Sequence, residues 1–197
     1  MFTDSWEVAP AASMMDLLKI KELSIINEYF ETVLSNGFIP KITADGETVT
    51  YKWKFRLPKG FQPSSSFTHL HQIKAVGGSQ DLPIFTITAR KSKVNQLIVI
   101  HNNENTVASA DLSEFEGTWV EITEKIKIGS NGAYSISIKK IKNGQELLAF
   151  KSDNIMTIKP DNDFIRPKWG IYRSLKKQKD LRDEAVRFND FSIKEGE

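Results

Sequence analysis

Two segments of the chain carry most of the side chains that could do chemistry. The first, Phe67-Thr68-His69-Leu70-His71-Gln72-Ile73-Lys74, places two of the three histidines inside a strand-like run. Alternation along a strand puts Leu70, Gln72 and Lys74 on one face and His69, His71 and Ile73 on the other. A His-x-His pair could hold a metal if a carboxylate and a further histidine completed the set. No Asp or Glu follows within six residues of His71, and the one later histidine is His101. The plainer reading is an exposed polar face with hydrogen-bonded core histidines. The second segment, Phe164-Ile165-Arg166-Pro167-Lys168-Trp169-Gly170-Ile171-Tyr172-Arg173, sends Lys168, Gly170 and Tyr172 to one face and Trp169 and Ile171 to the core. A glycine between two long polar side chains opens space where a flat ligand could approach the backbone. Its plainer reading is a corner glycine beside an ordinary exposed tyrosine.

Other chemistries find less support. Hydrolysis of a glycoside needs carboxylates on both sides of the scissile bond, and the acidic group Asp111-Leu112-Ser113-Glu114-Phe115-Glu116 reads as a loop. With no cysteine, disulfide frameworks, thiolate zinc sites and cysteine nucleophiles are excluded. The 27 basic and 25 acidic residues give a formal +2, too even for a nucleic-acid binder working by bulk charge, so any anion recognition must be local. No run approaches the roughly 18 apolar residues that a membrane span requires. Met1 to Ala12 carries Asp4 and Glu7 and lacks a basic start and an apolar stretch, so it does not read as a secretion signal. A cytoplasmic protein and one whose signal has been removed both fit.

A chain of 197 residues suits one globular domain with a short appendage. Leu18, Ile25, Tyr29 and Val33, with Met14, Ile26 and Phe30, recur at helical spacing and predict an amphipathic helix over 13–35, closed by Asn36-Gly37. A strand over Lys19 to Ile26 is the competing reading. The appendage is taken as residues 1–40 and the main domain as 41–197. From Ile42 the period becomes two. Strands are predicted at Thr48 to Leu57, Phe67 to Val76, Pro83 to Arg90, Leu97 to His101, Thr118 to Ile128, Tyr134 to Lys142, Glu146 to Ser152, Lys168 to Arg173 and Ala185 to Lys194. In the first of these Tyr51, Trp53, Phe55 and Leu57 share one face and Lys52, Lys54 and Arg56 the other. Nine strands joined by Gly- and Asn-rich turns suit a two-sheet, all-β sandwich of jelly-roll type. The basic run Leu175 to Lys179 reads as a solvated loop.

Taken together, the two chemistry-bearing segments resemble a known pair. Gln72-Ile73-Lys74 with Lys168-Trp169-Gly170-Ile171-Tyr172 is similar to the Gln-Ile-His and Tyr-Phe-Lys-Ala-Gly-x-Tyr strands of the jelly-roll alginate lyases of polysaccharide lyase family 7. The chain resembles polysaccharide lyase family 20, the glucuronan lyases, more closely. That resemblance rests on Tyr51-Lys52-Trp53-Lys54-Phe55, Phe67 to Lys74, Arg166 to Ser174, and Leu181-Arg182-Asp183-Glu184 with the closing strand Val186 to Lys194, and it covers roughly residues 42–195.

The resemblance implies a concanavalin-like jelly roll that cleaves an acidic, uronic-acid polymer such as glucuronan by β-elimination. Such an enzyme removes the proton on carbon 5 of the uronate and expels the 4-linked oxygen. Amide and cationic donors must neutralise the adjacent carboxylate, a role that falls to Gln72 and Lys74. Tyr172 is implied as the proton-transfer residue. An unperturbed tyrosine, with a pKa of about 10, is a poor base at neutral pH, and cations such as Lys168, Lys74 or Arg173 would favour its phenolate. Lys52, Lys54, Arg56, Arg90, His101, Lys168 and Arg173 would bind carboxylates along the polymer. Two departures stand out: residues 1–40 contain no Arg and no His, where these lyases supply an arginine and often a histidine, and the histidine of Gln-Ile-His is Lys74. A base must then come from Tyr172, or from His69, His71 or His101 if a bulge redirects one of them. A non-catalytic carbohydrate-binding jelly roll is the alternative. No cofactor is required, and the resemblance allows a structural calcium at Asp161, Asp163, Asp183 or Glu184. It further implies an extracellular or periplasmic enzyme; the chain is expected to be a monomer with neither nucleic acid nor membrane as partner.

Overall fold

The computed structural model describes residues 6–7, 46–79 and 82–196. The expected helix over 13–35, the alternative strand there and the boundary at residue 40 lie outside the described residues. Among the described residues, eleven antiparallel strands form two sheets. The first sheet has the order β1-β11-β2-β7-β8-β9, built from Trp6–Glu7 (β1), Arg187–Glu195 (β11), Thr48–Arg56 (β2), Trp119–Lys127 (β7), Gly132–Lys140 (β8) and Glu146–Ile155 (β9). The second has the order β10-β3-β4-β5-β6, from Phe164–Arg173 (β10), Thr68–Val76 (β3), Phe85–Arg90 (β4), Gln96–His101 (β5) and Asn105–Asp111 (β6). This is the two-sheet sandwich that the period-two pattern predicts, with 3-10 turns as the only helical elements among the described residues.

Burial explains why these segments are strands. On β2, Val49, Tyr51, Trp53 and Phe55 are fully buried while the residues between them reach solvent, so a half-buried pleat satisfies the sequence alternation. The two inner faces interlock through aromatic pairs: Phe85 of β4 stacks on Tyr134 of β8 at 3.8 Å, and Trp53 of β2 meets Trp169 of β10 edge-on at 6.1 Å. Each pair joins one sheet to the other. Gly78 in the turn after β3 has φ +60°, and a Cβ there would lie 2.2 Å from the Asp161 carbonyl oxygen, so this close approach between two loops requires glycine.

Two strands escape the sequence reading, β1 and β6. The second of these replaces part of a stretch that reads as a loop, because Asn105-Thr106-Val107-Ala108-Ser109-Ala110-Asp111 lies at a sheet edge and buries no side chain fully. The acidic group that follows caps a 3-10 turn, Leu112–Phe115, with the Asp111 carboxylate accepting the Ser113 N–H at 2.9 Å.

Replacing Phe55, which stacks on Phe115 and packs beside Trp53, by alanine should cost about 3–5 kcal/mol in urea unfolding. Lys52→Ala, which breaks only an exposed pair with Glu121, should change stability by less than about 0.5 kcal/mol.

Candidate active site

The outer face of the second sheet is fixed by register. Directly paired residues lie on the same face of a sheet. On β4, Phe85, Ile87 and Ala89 enter the core, so Thr86, Thr88 and Arg90 face outward. Gln72 pairs with Thr86 and with Lys168, and Lys74 pairs with Arg166. An amide, two lysines and two arginines therefore share the outer face of the second sheet, on β3, β4 and β10.

Two bulges at the same level then alter the alternation. Between β3 and β4 the register slips from His71↔Ile87 to His69↔Thr88, and between β3 and β10 it slips from Trp169↔His71 to Tyr172↔His69. Leu70 and His71 both turn into the core, and His69 emerges on the Gln72 face. Simple alternation places His69 with His71 and Ile73; the inserted residue reverses this. Gly170, in the β10 bulge, has φ +142° and open space where a Cβ would stand.

His69 packs against Phe67, with ring centroids 4.6 Å apart, and against Tyr172, at 6.0 Å, and these two rings themselves lie 5.4 Å apart. Tyr172 itself is 48% exposed, an unusual state for a large aromatic ring. Burial, and after it the charge of Arg90, pull His69 from its ordinary 6.5 down to about 4, so the ring is neutral at neutral pH. Its Nδ1, the Thr86 hydroxyl and the Arg90 Nε are buried and make no hydrogen bond among the described residues. Buried polar atoms without partners are costly, and these three lie on one face with the exposed phenol.

The other residues expected in the groove stand elsewhere. Lys52, Lys54 and Arg56 point to solvent from the first sheet, on the far side of the sandwich: Lys52 pairs with Glu121 at 3.0 Å and Lys54 with Asp190. Alternation gives these residues a face but does not reveal which of the two layers owns it. His101 is buried against Phe85 at 4.9 Å, with Nε2 2.8 Å from the Met156 carbonyl oxygen. Arg173 lies inside as the partner of Thr68 and donates to the Arg182 carbonyl at 2.7 Å. The acidic residues considered for calcium are divided between loops: Asp161 accepts the Ser79 N–H, while Glu184 takes Arg182 Nε–H at 2.6 Å and Gln62 N–H at 2.9 Å. The described residues contain no group of three or more metal-ligating side chains. Arg166 was legible as a groove residue, since it stands two positions before Lys168; the outward turn of His69 had no signal beyond the possibility of a bulge.

The arrangement can bind an anionic, flat ligand through Gln72, Lys74, Lys168, Arg166 and Arg90, and can transfer a proton at Tyr172. A family model described as polysaccharide lyase matches residues 10–186. Solved structures share the fold at low identity. An alginate lyase of Aplysia kurodai is 14% identical with a TM-score of 0.51, over 79% of this chain and 72% of that one. An endo-β-1,4-glucuronan lyase of Trichoderma reesei is 16% identical with a TM-score of 0.50, over 80% and 76%. An alginate lyase of Pseudomonas aeruginosa is 12% identical with a TM-score of 0.53, over 82% and 71%. No curated protein sequence matches the chain.

Because the unfolded chain binds a proton at His69 near pH 6.5 and the folded chain only near 4, stability should fall as pH drops through that window. An NMR titration of the His69 ring should give a midpoint near 4; a midpoint near 6.5 would place the ring in water.

Proposed function

The chain belongs to the polysaccharide lyase family, and from that premise we propose that its groove cleaves a uronic-acid polymer, glucuronan-like, by β-elimination. The observation that carries this reading is the common face of Gln72, Lys74, Lys168, Arg166, Arg90, His69 and exposed Tyr172, set by the pairing of β3 with β4 and β10. No helix among the described residues is long and apolar enough to cross a membrane. A polymeric substrate suits an enzyme working in the extracellular space or periplasm.

The chemistry follows from charge. The uronate carboxylate binds to Gln72 and the surrounding cations, which stabilise the negative charge that spreads onto it as the carbon 5 proton leaves. Tyr172 is the group that reaches the polymer and moves the proton. The carbon 5 proton passes to the Tyr172 phenolate oxygen, its electron pair becomes the carbon 4–carbon 5 double bond, the carbon 4–oxygen bond breaks, and the departing oxygen takes up the proton that Tyr172 now carries. His69, neutral beside the phenol, packs against Tyr172 on the same face. No metal is needed for this elimination.

A sugar-binding protein without activity is the second reading, favoured by the lack of any Arg or His in residues 1–40. The two readings separate in an assay that follows the ultraviolet absorbance of the unsaturated uronate with glucuronan, alginate, heparin-type polymers and neutral glucans. A rise with an acidic polymer supports the lyase; binding without a rise supports the alternative. Under the lyase reading Tyr172→Phe should abolish turnover and keep polymer affinity. Gln72→Ala and Lys74→Ala should each lower kcat by roughly 10²-fold, the usual scale for losing a donor to developing charge. Affinity should also fall as salt is added.

A further inference from the structure

The mechanism leaves one buried polar pair unused. Glu124, on β7 in the sheet opposite the groove, and His71, on β3, have side chains 1% and 0% exposed, and His71 Nε2 lies 3.0 Å from Glu124 Oε2. The carboxylate also accepts Tyr134 O–H at 2.7 Å and Trp53 Nε1–H at 3.4 Å. On its other side, His71 Nδ1 sits 2.9 Å from the carbonyl oxygen of Lys168 on β10. A carbonyl has no hydrogen to give, so Nδ1–H is the donor. Both ring nitrogens thus face oxygen acceptors, with the ring held between Trp53 at 5.2 Å and Trp169 at 5.1 Å.

This position coincides with the break in the ladder. Trp169↔His71 is the last regular pair before β10 bulges at Gly170 and resumes at Tyr172↔His69. In the described sheet β10 is an edge strand with β3 as its one neighbour, so backbone pairing restrains it on one side only. Burial alone would raise the pKa of Glu124; the neighbouring His71 and the hydrogen bonds from Tyr134 and Trp53 outweigh that and hold it below the ordinary carboxylate value. A charged carboxylate in a dry core needs such compensation.

We propose that His71 is a positioning residue of the groove: backed by Glu124 from the opposite sheet, it ties down the Lys168 carbonyl and fixes where β10 bulges, and so where Lys168 and Tyr172 stand. The functional part of this proposal rests on the lyase reading of the groove; the structural part does not.

The test uses the full chain and the double variant His71→Phe/Glu124→Gln, which keeps an aromatic ring between the tryptophans and leaves no buried charge behind. Amide hydrogen exchange over 169–172 should quicken at least tenfold while β2, β7 and β8 keep their protection. Uniform quickening, or no change over 169–172, would overturn the proposal. If the wild type cuts a uronic-acid polymer, the variant should lose roughly tenfold in kcat with KM within about twofold, and unchanged kcat would overturn the proposal while leaving the lyase reading intact. If the wild type cuts none of the polymers, the lyase reading fails and the exchange experiment still decides the role of His71. Should the double variant not fold, nitrogen-15 NMR of the wild-type His71 ring decides it: a slowly exchanging Nδ1–H proton is expected from its bond to the Lys168 carbonyl, and an Nδ1 without such a proton would overturn the proposal.

Discussion

The pair of bulges that meets beside His71 governs what the groove contains. Had the ladders of β3 continued unbroken, His69 would have followed His71 and Ile73 into the core, and Tyr172 would have lost its place beside it. An inserted residue in each pairing turns the histidine outward and brings the phenol to the same level. The core has to tolerate this irregularity, and it does so with large rings: Trp53, Trp169 and His71 fill the space behind the bulge. The groove and the core are thus two sides of one local departure from regular pairing.

Charge is distributed in keeping with that division. On the outer face of the first sheet cations are matched with acids, as in Lys52 with Glu121, Lys54 with Asp190, Lys139 with Glu146 and Lys151 with Asp153. Such exposed pairs contribute little to stability, but they neutralise that surface. The near-zero net charge therefore says little about the field in the groove, where Lys74, Arg90, Arg166 and Lys168 gather on three strands. Local placement, rather than total charge, is what an acidic polymer would meet.

Much of this was legible in the sequence. Alternation in Thr48–Arg56 identified the buried set Tyr51, Trp53 and Phe55, and the pairing of Gln72 with Lys168 agrees with their common face as read from two separate segments. Three things were not legible. Period two gives a strand its inner side but not its sheet, so Lys52, Lys54 and Arg56 fell on the wrong layer. A bulge leaves no mark on hydropathy, so His69 was assigned to the core face. An edge strand made of small and polar residues, Asn105–Asp111, has too little apolar contrast to register as a strand.

The order of the chain has a further consequence for the groove. Strands β3 to β6 and β7 to β9 follow one another as hairpins, each closing soon after it is made. By contrast β10 must return to β3 across about half the chain, and β11 to β2 across more than half. Distant pairings of this kind are slow to form and are completed late. During synthesis the strands bearing Gln72 and Arg90 leave the ribosome long before the one bearing Tyr172. The nascent protein therefore passes through a stage in which the sheet is open at the edge where β10 will dock, and the face that unites Gln72, Arg90 and Tyr172 exists only once about the last sixth of the chain has emerged.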